Sequence, residues 1–135
     1  MGSTQEMEDL LLKELKKIIM STRAQVRFAT REDGVSFSEH PEKINAQFYV
    51  HSDGYPEGLG VNIALSIMYG GIGLRSEIEE LHTEHGDLDY IYYVWQVSGK
   101  TTWISIFKLN GYGEHCECEC IFVGEPQKLI EKYDR

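Results

Sequence analysis

Residues 89–97 read Asp-Tyr-Ile-Tyr-Tyr-Val-Trp-Gln-Val, apolar or aromatic at both odd and even positions. Extended backbone points successive side chains to opposite faces of a sheet. Tyr90 and Tyr92 therefore share one face, and Ile91, Tyr93, Trp95 and Val97 share the other. Two aromatic rows of this size do not both stand in water. The strand calls for a sheet covered on both sides, by the chain's own helices or by a second subunit. Ser98-Gly99-Lys100 turns this run into 101–109, and Asn110-Gly111-Tyr112-Gly113 turns that into 114–123. These are β-branched and aromatic segments joined by glycine-bearing turns, the pattern of a meander.

The first half supplies the helices. Ser3 and Glu6 have capping-box spacing, and Met7, Leu10, Leu11, Leu15, Ile18 and Ile19 follow at helical intervals. They predict an amphipathic helix over about residues 4–20, its apolar stripe wide enough to dock on a sheet or on a second copy of the chain. The period then drops to two. Ala24, Val26 and Phe28 alternate with Arg23, Gln25 and Arg27; Ala46, Phe48 and Val50 alternate with Gln47, Tyr49 and His51. Residues 35–38 form a short strand between them. Pro56 opens a second helix that Gly70 and Gly71 close, residues 75–85 form a short exposed helix, and Pro126 opens a last one to about Tyr133. The expected architecture is a single α+β domain over 1–135. It has one antiparallel sheet of about five or six strands, with the N-terminal, central and C-terminal helices packed on it.

Charge narrows the function classes. The chain carries a net −9, and residues 44–135, with 14 acidic and 6 basic side chains, hold nearly all of it. Such a field repels phosphate backbones, so direct nucleic-acid binding is not expected. No apolar run reaches the length of a membrane span, and no secretion signal leads the chain. Cys116, Cys118 and Cys120, odd in number and clustered, make a poor disulfide framework and point to a reducing, cytoplasmic setting. On one strand they share a face, with Phe122 continuing it. Same-face neighbours lie roughly 6.5–7 Å apart, too far for thiolates on one zinc ion. They read as core, and no metal or cofactor is expected.

Two groups of residues remain as candidates. If the strands 23–28 and 46–51 are neighbours, Arg23, Arg27, Tyr49 and His51 lie away from the core and suit a phosphate or carboxylate. The turn that follows carries Asp53, Gly54 and Tyr55 in Asp-Gly-Tyr-Pro-Glu-Gly, a glycine-rich helix start whose amides can meet an anion. Against this stands an ordinary strand-to-helix turn, with a sheet face that is solvated or covered by the first helix. The second group is acidic: Glu77, Glu79 and Glu80 on an exposed segment that would face a basic partner. His82 and His85 sit three apart, a spacing that can hold a metal on a helix, although an acidic solvated face is the simpler reading. No catalytic constellation stands out.

Ser21-Thr22-Arg23-Ala24, followed by His51-Ser52-Asp53-Gly54-Tyr55-Pro56-Glu57-Gly58, resembles small uncharacterised proteins of phages and mobile elements. The resemblance implies a viral setting, hence a host cytoplasm, and carries no activity with it. Met20 directly precedes the first motif, so residues 1–19 read as an added leader. Two functions follow as expectations. One is a non-enzymatic binding protein, a phage-type inhibitor of a host defence factor that uses its acidic surface. The other is a small anionic-ligand or nucleotide-binding module, a sponge or slow hydrolase, centred on the Asp53 turn. A homodimer through the first helix is a further expectation.

Overall fold

The computed structural model describes residues 4–20, 22–30, 43–70, 76–86, 88–96, 101–110 and 118–134; for 13–20 it describes the backbone alone. The elements, in chain order, are α1 (Thr4–Met20), β1 (Ala24–Thr30), β2 (Lys43–Val50), a single wide helical turn Pro56–Gly60 running into α2 (Val61–Tyr69), β3 (Glu77–Glu79), β4 (Tyr90–Gln96), β5 (Trp103–Leu109), β6 (Cys118–Gly124) and α3 (Pro126–Tyr133). The six strands form one curled sheet in the order β3-β2-β1-β4-β5-β6.

The sheet is mixed. β1 runs antiparallel to β2 but parallel to β4, with Arg27 facing Tyr93 and Val26 facing Tyr92. This corrects the expectation of a purely antiparallel sheet. Hairpin signals report only neighbours joined by tight turns. The β1–β4 pair is separated by β2, α2 and β3, and a parallel pair needs such a long connection. Residues 75–85 also differ from the short helix expected. Glu77–Glu79 is an edge strand on β2, followed by turns in which His82 takes a left-handed φ of 67°. The expected strand at 35–38 lies outside the described residues.

Both faces of the sheet are buried. On the first, Val26, Val50, Tyr92, Ile104 and Ile106 pack under α2 and α3 through Leu59, Ile63, Ala64 and Leu129. On the second, Ala29, Tyr49, Leu88, Ile91, Tyr93, Trp95 and Phe107 form another cluster. The strand rich on both sides, β4, accordingly supplies Tyr92 to one core and Tyr93 and Trp95 to the other, each 1% exposed or less.

Two further expectations are corrected. α1 was expected on the sheet, yet its described apolar side chains Met7, Leu10, Leu11 and Leu12 are exposed. Phe122 does not continue the cysteine face. The β5–β6 register shifts between Ile106 and Phe107, so Phe122 packs in the first core while Cys120 packs in the second. A bulge inserts one residue and inverts the alternation beyond it. Cys118 is exposed, Cys120 is half-buried, and Cys116 lies outside the described residues.

Candidate functional site

The register between β1 and β2 places Gln25 opposite Tyr49 and Arg27 opposite Gln47. All four belong to the alternating set that leaves Ala24, Val26, Phe48 and Val50 for the first core, so they stand together on the second face. That face is not solvated. Gln25 is 0% and Gln47 1% exposed. Buried amides need partners, and they find them in β3 and the turns after it. Both Nε2 groups donate to Glu79 Oε1, at 2.7 and 3.0 Å, and to the Thr83 carbonyl, at 2.9 and 3.0 Å.

Glu79 is the hub. Its second oxygen lies 2.7 Å from His85 Nε2. Burial pushes its carboxyl upward, but hydrogen bonds from His85, Gln25 and Gln47, with the charge of His85, outweigh burial and hold it below the ordinary glutamate value. His85 stacks on Tyr49 with ring centroids 4.0 Å apart, and His51 meets the same tyrosine edge-on at 4.4 Å. His51 in turn lies 3.2 Å from Glu77 at the exposed edge.

Arg27 closes the other end of this network. Its Nε donates to Gln25 Oε1 at 2.8 Å and its Nη1 to the Tyr93 hydroxyl at 2.6 Å. Burial pushes the Tyr93 hydroxyl above its ordinary value, opposed by the adjacent guanidinium. Among the described residues no ion pair joins Arg27 to a carboxylate. Glu79 is near, but Gln25 stands between them, its oxygen on Arg27 and its nitrogen on Glu79. Only two of the five N–H donors of Arg27 carry a hydrogen bond to a described residue. Across the strand, Gln47 Oε1 is buried with no hydrogen-bond partner among the described residues.

The Asp53 turn is arranged differently. Asp53 takes a left-handed φ of 58°, a conformation aspartate tolerates, and its side chain is exposed. Gly54 is buried, its N–H donating to the Thr22 carbonyl at 3.0 Å and its own carbonyl accepting from the Tyr92 hydroxyl. The amides of Gly58 and Leu59 both donate to the Tyr55 carbonyl. The groups that were to cradle an anion are thus engaged in the fold. Arg23 sits just before β1, where its backbone N–H donates to Asp89 Oδ2 at 3.0 Å.

Arg27, Tyr49 and His51 therefore share a face, while Asp53, Gly54 and Tyr55 lie beyond its end and Arg23 at its margin. The acidic trio is divided: Glu77 and Glu80 are exposed, Glu79 is turned into the network. His82 is exposed, apart from His85, and no group of three or more metal-binding side chains occurs among the described residues. Gln25, Gln47 and Tyr93 were not among the expected site residues, and His85 was weighed only as a metal ligand beside His82. The parity of the two glutamines was the available signal, but glutamine on a polar parity reads as solvated until its cover is known.

Among the described residues no helix is long and apolar enough to cross a membrane. Comparison of the chain with protein-family models, with curated proteins and with solved structures gives no match.

Proposed function

We propose that this chain is a binding module for a small anion, a carboxylate or phosphate monoester, taken by Arg27 on the second sheet face. One observation carries the reading. Arg27 is half-buried and pairs with no carboxylate among the described residues; Gln25 and Tyr93 hold it in place, and Gln25 stands between it and Glu79. Shielding a guanidinium from water without a counter-charge is unfavourable, and an arriving anion relieves it. The guanidinium fork suits the two oxygens of a carboxylate or phosphate. The inhibitor reading has less support, because Glu79 points inward and leaves Glu77 and Glu80 as the acidic edge.

The test is ligand-induced thermal stabilisation with inorganic phosphate, acetate and adenosine monophosphate, each against chloride at equal ionic strength. Free ligand at about a hundred times its Kd stabilises by about 2.7 kcal/mol, a rise in Tm of roughly 8–14 °C for a domain this size. Arg27→Gln abolishes the rise and Arg27→Lys reduces it, since an ammonium lacks the fork. A parent Tm unmoved by all three anions at millimolar concentration refutes the reading.

A further inference from the structure

α1 is a seventeen-residue helix whose described apolar side chains face water: Met7 is 66%, Leu10 65%, Leu11 64% and Leu12 56% exposed. A helix of this length is marginal in water unless its apolar stripe is packed, and soluble chains seldom leave such a patch bare. In sequence the stripe continues through Leu15, Ile18 and Ile19. The folded body of the same chain does not cover its first half. An anionic membrane surface is a poor cover, because Glu6, Glu8 and Asp9 crowd that half.

The charges select the occupant. Acidic residues Glu6, Glu8 and Asp9 fall in the first half of α1, and the second half holds Lys13, Lys16 and Lys17 against one acid, Glu14. We propose that α1 pairs antiparallel with α1 of a second copy, about a two-fold axis passing between residues 12 and 13. That register sets Glu8 opposite Lys17 and Asp9 opposite Lys16 of the partner, and the symmetry repeats both pairs. Met7 then faces the level of Ile18, and Leu10 that of Leu15, while at the centre Leu11 stands level with Glu14 and Leu12 with Lys13. A parallel pair would instead set Glu8 against Glu8 and Lys17 against Lys17, which is unfavourable.

Sedimentation velocity on the full chain in reducing buffer decides this. The parent sediments as a dimer, and Leu11→Glu, at an exposed position, gives a monomer with unchanged far-ultraviolet dichroism of the sheet. Reversing one end, as Glu8→Lys with Asp9→Lys or as Lys16→Glu with Lys17→Glu, makes each charge set self-repelling. Each double variant then dimerises about tenfold or more weakly, and a one-to-one mixture of the two restores the dimer. In a parallel pair the double variants would self-associate about as well as the parent. A parent monomeric up to millimolar concentration overturns the proposal, as do double variants that dimerise unchanged or a mixture that stays monomeric. Binding of the monomeric parent to neutral phosphatidylcholine vesicles would overturn it too, in favour of a lipid surface.

Discussion

Replacing Glu79 by alanine removes the acceptor of two buried amide donors and of His85 at once. A hydrogen bond to a charged group contributes about 1.5–3 kcal/mol, and the three are not additive because they share one carboxylate. Gln25 and Gln47 keep the Thr83 carbonyl, and His85 is 23% exposed and can turn to water. The expected loss is therefore about 2–4 kcal/mol, a Tm lower by roughly 8–15 °C. Glu79→Gln separates charge from shape. Its amide oxygen still accepts from both glutamines, and its nitrogen faces a ring nitrogen of His85 that accepts in one tautomer, so about 1–2 kcal/mol is lost at neutral pH. The acid limb gives the sharper readout. The folded carboxyl lies below its ordinary 4.5, so its stabilisation is complete above that value and disappears as the pH falls through the folded one. Urea denaturation of parent and Glu79→Gln from pH 7 to 3 measures the difference. Their stabilities differ above pH 4.5 and converge below it. A constant gap across the range, or a Glu79→Ala variant that melts with the parent, refutes the network as the anchor of β3.

Two other perturbations test the fold around the site. A Cβ on Gly54 would stand 2.8 Å from Ala24 Cβ and 3.0 Å from the Thr22 carbonyl, whereas one on Gly86 meets nothing within 4 Å. Gly54→Ala is expected to destabilise by about 1–3 kcal/mol and Gly86→Ala to stay within about 0.5 kcal/mol of the parent; equal urea midpoints would refute the close approach of turn and strand. The indole N–H of Trp95 donates to Ser105 Oγ at 2.8 Å in the second core. Ser105→Ala removes that acceptor, for an expected loss of about 1–3 kcal/mol by chemical denaturation; an unchanged midpoint would show that the indole has another acceptor.

Alternation alone placed Arg27, Tyr49, Gln25 and Gln47 on one face of two strands, and Tyr92 opposite Tyr93. That is a local property of extended backbone, legible in any run of six residues. The helix from Pro56 to a glycine stop was equally legible, because proline and glycine act through their own φ. The parallel pairing of β1 with β4 was not, since strands far apart in the chain meet through burial and not through a turn signal. Nor was the bulge that sends Phe122 to the other face.

The site changed character for the same reason. Sequence determined which side chains are neighbours along each strand and therefore which rows of polar groups exist. Only the tertiary structure brought Glu79, Thr83 and His85 over Gln25 and Gln47, turned a polar row into a buried network, and left Arg27 at its end paired with no carboxylate among the described residues. Hydrogen-bond demand in a buried place is set by what covers it, and the cover here comes from a segment more than thirty residues beyond β2 Gln47, across α2.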